Sequence, residues 1–285
     1  VNCPLIVGDL IDKKFLFESL KGQKFDGVIH FAAYALAGES MKDPYKYFYN
    51  NLTSGLNLLE FMRESGIKNI IFSSTCAVYG APDKLPVSEN ETKKPESVYG
   101  ESKLMFEKIL SWYGKIYGIK YINLRYFNAA GASMDGKVGE NHNPETHIIP
   151  LAIKAALTNS PFSLFGNDYE TQDGTCVRDY IHVEDLALAH IVSLEKLSND
   201  GENDDINLGT GKGYSNLEVI QMVKKISGIN FPVEIKPKRP GDPAMIYADN
   251  NKAREVLGFS PKYSDLETIV RTAWIWHTKP AGREK

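Results

Sequence analysis

The 285-residue chain carries only three cysteines, Cys3, Cys76 and Cys176, far apart in sequence. That usage excludes a disulfide framework and any paired-cysteine metal site, and it predicts a reducing, cytoplasmic setting. No apolar run approaches the ~20 residues of a membrane-spanning helix, so no membrane partner is expected. Neither sign of charge is in excess: 33 Lys and Arg against 36 Asp and Glu leave a net charge of −3. Nucleic acid and anionic lipid therefore have no electrostatic footing as partners. Internal repeats and low-complexity segments are also missing, and with 42% hydrophobic residues the composition is that of an ordinary globular protein.

What is present, over the first half, is an alternation of short β-like runs and long amphipathic helices. That is the pattern of a parallel sheet covered on both faces. Gly27-Val28-Ile29-His30-Phe31-Ala32-Ala33 reads as a buried strand ending in small residues, which let a ligand approach the backbone. Asp43-Pro44 opens a helix to about Ser65, as N-cap and N1 proline, and Gly66 stops it. Asn69 to Phe72 is the next strand, Tyr99 to about Tyr117 a helix ended by Gly118, and Tyr121 to Phe127 a further strand.

Beyond Asn128 the character shifts. The polar stretch from Ala132 to Thr146 is too long for a simple turn. Helices are predicted at about 148–159, 184–196, 215–227 and 266–277, the third opening on Ser215-Asn216-Leu217-Glu218 in the manner of a capping box. Ile206-Asn207-Leu208 reads as a return to the main sheet. The predicted fold class is α/β. A doubly wound parallel sheet occupies residues 1–128, with a segment near 180–210 returning to it, and a smaller α+β domain follows over 129–285.

The chemistry concentrates in Ser97-Val98-Tyr99-Gly100-Glu101-Ser102-Lys103. Tyr99 is the one tyrosine with a lysine four residues on, which places both side chains on one helix face. An ammonium there favours the phenolate, so Tyr99 can act as a base below its reference pKa of about 10. Alone, such a pair is as well read as an exposed helical pair. The context is Asn69-Ile70-Ile71-Phe72 running into Ser73-Ser74-Thr75, which puts the Thr75 hydroxyl beyond the end of a buried strand, where ligands of open α/β sheets bind. Tyrosine, lysine and hydroxyl together suit reversible oxidation of an alcohol beside a nicotinamide.

A dinucleotide-binding sheet opens with a strand, a glycine-rich turn and a helix. Here Leu5-Ile6-Val7, followed by Gly8-Asp9-Leu10, reads instead as a third strand, and the chain starts at Val1. Gly209-Thr210-Gly211-Lys212-Gly213 comes too late to serve as that turn. The expectation is a preceding segment of roughly 50 residues, about one βαβ unit and more.

These motifs, with Asn50-Asn51, Val78-Tyr79-Gly80, Arg125-Tyr126-Phe127-Asn128, Phe165-Gly166-Asn167-Asp168-Tyr169 and Val177-Arg178-Asp179-Tyr180-Ile181-His182-Val183, resemble the UDP-glucose 4-epimerases of the extended short-chain dehydrogenase/reductase family. The resemblance runs from Gly8 almost to the C-terminus. It implies a Rossmann-like domain binding NAD, a UDP-sugar substrate and a homodimer formed through the helices at about 44–65 and 99–117. It implies catalysis by Tyr99, Lys103 and Thr75. Cofactor contacts would come from Asp9 and Leu10 near the adenine, Phe31, Ala32 and Ala33 along the pyrophosphate, and Ala35, Asn50 and Phe127 besides Tyr99 and Lys103. The substrate would meet Asn128, His147, Ile148, Phe165, Arg178, Tyr180, Arg239 and Asp242, together with Thr75 and Tyr99. No metal is implied, and Ile246 would border the hexose, favouring UDP-galactose and UDP-glucose. Ala35 stands where some relatives have lysine, and His147 where many have asparagine.

Three other readings stay open. One is a 4,6-dehydratase or decarboxylase, although Cys76 and Ala77 stand where a dehydratase needs an acid and a base. The others are a pentose 4-epimerase and a non-catalytic nucleotide-sugar-binding fragment.

Overall fold

The computed structural model describes residues 4–239 and 241–279. In chain order its elements are α1 (Lys13–Ser19), β1 (Val28–His30), α2 (Ala37–Ser40), α3 (Pro44–Ser65), β2 (Asn69–Thr75), a 3₁₀ turn (Cys76–Val78), α4 (Val98–Tyr117), β3 (Lys120–Tyr126) and β4 (Asn128–Ala130). There follow α5 (Ile148–Thr158), β5 (Phe162–Phe165), β6 (Val177–Arg178), β7 (Tyr180–His182), α6 (Val183–Ser198), β8 (Asp204–Leu208) and β9 (Tyr214–Ser215). The chain ends with α7 (Asn216–Ser227), β10 (Val233–Lys236), β11 (Met245–Ile246), α8 (Asn251–Leu257) and α9 (Leu266–His277).

Two compact units share these elements. The first takes in residues up to 81, 91–125 and 190–206, the second 82–90, 126–189 and 207 onward. The main sheet has the order β1–β2–β3–β8, with β1 parallel to β2 and His30 opposite Phe72. This is the α/β, doubly wound arrangement that the alternating pattern predicts.

Local chemistry explains the long helices. The Asp43 side chain accepts from the Lys46 N–H, Pro44 occupies the first turn, and Gly66 closes α3 at φ 74°. Ser97 caps α4 by accepting from Gly100 N at 3.1 Å. Ser215 and Glu218 form the reciprocal capping box at the start of α7. In the first unit, Leu58, Leu59 and Met62 of α3 and Phe106 and Leu110 of α4 enclose Ile70 and Phe72. Each such side chain is worth about 1.5–3 kcal/mol of burial. The second unit has its own core, where Ile149 and Ile153, Val219 and Val223, and Ile269 and Val270 surround Phe162 and Phe231.

Two expectations are corrected. Leu5-Ile6-Val7 is no strand: Leu5 is 85% and Val7 81% exposed, and the segment has no ladder partner among the described residues. Without a neighbour to take its N–H and C=O groups, an apolar run has no reason to stay extended. The predicted strand 27–33 is only Val28–His30, because the Tyr34 N–H and C=O leave the ladder and bond the Asn51 side chain at 2.8 and 3.1 Å.

Candidate active site

In the first unit, Thr75 ends β2 and begins the 3₁₀ turn, its Oγ1 accepting from Ala77 N at 3.1 Å. Accepting through a lone pair leaves the hydroxyl proton for another acceptor. The helix carrying Tyr99 and Lys103 runs against this turn because residue 100 is glycine. A Cβ there would stand 2.6 Å from the Ala77 carbonyl oxygen, backbone that cannot swing aside. Ser40 Oγ accepts from Tyr99 N at 3.1 Å, and Ser102 Oγ donates to Tyr99 O at 2.7 Å. Ser102 in turn accepts from Asn51 Nδ2 at 3.0 Å, so the start of α4 is held from two sides.

Lys103 is buried, donating from Nζ to Ser73 O at 2.8 Å, with Nζ 5.9 Å from the centre of the Tyr99 ring. Burial holds its ammonium down to about 7, against the pull of the Glu107 carboxylate, which favours the charged form. His30, buried between Phe72 and Phe106, is pushed down to about 3, first by burial and then by Lys103. It stays neutral at any working pH.

The first unit also has a recess of about 290 Å³ that gathers Asp9, Leu10, Ala32, Ala33 and Asn50 with Tyr34, Asn51 and Ser54. Asn57 Nδ2 fixes one rim by donating to Leu10 O and Ile11 O at 2.9 and 3.0 Å. The second unit contains a cavity of about 270 Å³, and it brings together Asn128, His147, Ile148, Phe165, Arg178, Tyr180, Arg239 and Asp242. Arg178 is aimed by its own backbone surroundings: Nη1 donates to Val177 O at 2.9 Å and Pro243 O at 2.8 Å. Arg239 donates from Nε to Asp242 at 2.9 Å, its guanidinium 5.0 Å from the Phe165 ring centre. Two guanidinium donors, a half-buried carboxylate acceptor and an aromatic face suit a phosphorylated nucleoside.

The matching family model, described as the NAD dependent epimerase/dehydratase family, spans residues 2–209. The chain belongs to this family. The UDP-glucose 4-epimerase of Lactobacillus helveticus is 48% identical over 279 residues, 97% of this chain and 84% of the relative. The crystal structure of UDP-glucose 4-epimerase from Brucella ovis in complex with NAD is 47% identical, with a TM-score of 0.92, covering 94% of this chain and 83% of that one. The enzyme from Bifidobacterium longum in complex with NAD+ and UDP is 39% identical at a TM-score of 0.90, covering 96% and 83%.

The recess of this epimerase/dehydratase family member fits part of a dinucleotide. Asp9 offers a carboxylate acceptor, and Ala32 and Ala33 carry nothing beyond Cβ to keep a ligand from the backbone. Five residues assigned to the cofactor by resemblance do not line it: Tyr99 and Lys103, whose surroundings are given above, and Phe31, Ala35 and Phe127. Phe31 alternates away from buried His30 and lies against the His190 ring at 4.6 Å. Ala35 is exposed between Tyr34, tied to Asn51, and Leu36, whose N–H bonds Tyr47. Phe127 belongs to the second unit, where its N–H donates to Leu208 O at 3.3 Å.

Sequence reasoning also passed over residues that matter here. Asn51, not Asn50, anchors the chain after β1; Asn50 Nδ2 spends its hydrogen bond on Lys46 O at 2.7 Å. Phe162, Ser163, Leu164 and Asn216 line the second cavity, with no local signal to mark them. The loop before α5 brings Glu140, His142, Glu145 and His147 together, their donor atoms within 4.8 Å of one another. His147 pairs through Nδ1 with Glu140 and Glu145, and the bond to Glu140 raises it above its ordinary value. Arg178-Asp179 is not an ion pair: the Asp179 carboxylate accepts from the N–H groups of Thr210, Gly211 and Ala248 at 2.9–3.3 Å and from the Thr210 hydroxyl at 2.8 Å. The glycine-rich loop thus wraps an internal anion, and a Cβ at Gly209 would lie 2.4 Å from that carboxylate.

Proposed function

We propose that the chain interconverts UDP-galactose and UDP-glucose by epimerisation at C4 with NAD as its bound cofactor. The observation that carries this reading is Lys103, buried one turn past Tyr99 with its Nζ on the strand that delivers Thr75. When bound, NAD supplies a reversible hydride acceptor. Tyr99 Oη takes the proton from the sugar O4 and later returns it, the Lys103 ammonium favouring the phenolate. Thr75 Oγ1 relays the same proton, its orientation set by Ala77 N. In the second unit, Arg178 and Arg239 hold the pyrophosphate, Asp242 a ribose hydroxyl and Phe165 the uracil side, while a loosely held 4-keto sugar turns over. Cys76 and Ala77 offer no acid and base for loss of water, which disfavours a 4,6-dehydratase.

The test is to acid-denature purified protein, assay the supernatant for NAD, and measure UDP-glucose formation from UDP-galactose by the native enzyme. Near-stoichiometric NAD with turnover is expected, and UDP-N-acetylglucosamine, facing Ile246, should turn over more slowly. Folded protein with neither NAD nor turnover would refute the reading.

A homodimer through α3 and α4 is part of the same proposal. Their surfaces leave Tyr45, Leu56, Met105, Trp112 and Ile116 exposed, Trp112 at 60% and Ile116 at 64%. Sedimentation should give a dimer that Trp112→Glu converts to monomer; a wild-type monomer at micromolar concentration would exclude it. No helix among the described residues is long and apolar enough to cross a membrane. Cys76 and Cys176, neither of them in a disulfide, support a cytoplasmic setting.

A further inference from the structure

Glu107 stands one turn beyond Lys103 and two beyond Tyr99 on α4, so the three share a face. It is buried, and both its oxygens are engaged. Oε1 accepts from Ser74 Oγ at 2.6 Å and Arg125 Nε at 2.9 Å, while Oε2 accepts from Arg125 Nη2 at 2.6 Å. Arg125 on β3 is fully buried; it donates to Tyr79 Oη at 3.1 Å and to Asp205 on β8 at 2.5 Å. One ion pair thus joins α4 to β2, β3 and β8 and to the residue closing the turn after Thr75.

Such a pair is a poor source of stability. Desolvating two charges roughly cancels their attraction, and apolar residues of equal volume serve a core as well. Its placement answers another need. Ser74 lies between Ser73, whose carbonyl receives Lys103, and Thr75, so a carboxylate that pins Ser74 fixes both neighbours. The same carboxylate is the negative charge one turn from an ammonium in surroundings hostile to cations. The groups facing Lys103 are Tyr99 and Glu107 from its own helix, with Arg125 behind Glu107, and His30 from β1; β2 adds the Ser73 carbonyl and the Phe72 ring. His30 is neutral, which leaves Glu107 as the anion among them.

We propose that Glu107, clamped by Arg125, is a positioning residue of the epimerase reaction: it fixes the end of β2 that carries Thr75 and keeps Lys103 cationic beside Tyr99. The role in turnover rests on the epimerase reading above; the effect on the charge of Lys103 does not.

The two are separated by an NMR titration of ¹³C-lysine-labelled enzyme, followed at Lys103, beside the pH profile of kcat, in wild type and Glu107→Gln. Glutamine keeps the size and the acceptor for Ser74 and removes the charge. The Lys103 midpoint is expected to fall by about one pH unit or more, and kcat by about tenfold on the alkaline side of that midpoint. Glu107→Asp should restore part of both. A folded Glu107→Gln enzyme with an unmoved Lys103 midpoint overturns the proposal, whatever its activity. A moved midpoint in a protein whose wild-type form turns over no UDP-galactose supports the charge-setting role and overturns the epimerase reading instead. If Glu107→Gln does not fold, Glu107→Asp, which keeps the charge but draws it back from Ser74 and Lys103, is titrated in its place, a lowered midpoint supporting the proposal and an unmoved one overturning it.

Discussion

Tyr99→Phe is expected to lower kcat for UDP-galactose by about 10³-fold while the protein stays folded and retains its NAD. The phenyl ring keeps the volume and the place on α4, where backbone bonds to Ser40 and Ser102 hold residue 99 independently of its hydroxyl. What is lost is the atom that accepts and returns the sugar proton, and positioned proton transfer contributes about 10²–10⁴-fold. The loss should fall on kcat and kcat/KM alike, because the interaction is made in the transition state. NAD content and steady-state kinetics of the variant decide it. Retention of more than about a tenth of the wild-type kcat would remove Tyr99 from the role, since no other tyrosine has a lysine on its helix face at this spacing.

Arg178→Met should act on the other side of the ledger of rate constants, raising KM with little change in kcat. The Arg178 side chain is 14% exposed, and two backbone carbonyls hold its Nη1 while Nη2 lies 3.9 Å from Asp242. That geometry pre-sets a fork for two phosphate oxygens, so little entropy is lost when a pyrophosphate arrives. Removing one partner of a buried charge pair costs about 2–5 kcal/mol, which corresponds to a KM increase of about thirtyfold or more. Arg178→Lys keeps the charge without the fork and should fall between. Titration with UDP alone, followed by calorimetry, checks the affinity directly. Unchanged UDP affinity in Arg178→Met would show that the nucleotide is not held there.

How legible all this is in the chain depends on distance along it. Tyr99, Lys103 and Thr75 are visible because a capped helix and the polar end of an apolar run are local patterns. The eight expected residues that the second cavity brings together run from Asn128 to Asp242, and no periodicity joins them. Only the resemblance to a family put them together. The recess in the first unit depends on where the backbone turns after β1, which Asn51 decides from 17 residues away. The buried Glu107–Arg125 pair left traces that went unread: a charge inside the run Tyr121 to Phe127, and a carboxylate four residues past Lys103 on the same face. The short strands β4, β6, β7, β9 and β11 contain two or three residues each, too few for any alternation to register.

Asp179 sits between Arg178 and Tyr180, two walls of the second cavity, and three backbone amides converge on its carboxylate. A loop with three glycines in five residues should be the softest part of its surroundings. Tied to that carboxylate, it stiffens the link between β6 and β7, on whose adjoining ends the two pocket residues are mounted. The conformational entropy of fixing Arg178 and Tyr180 is thereby lost when the chain folds, before any ligand arrives, so a nucleotide meets a wall already in its bound shape.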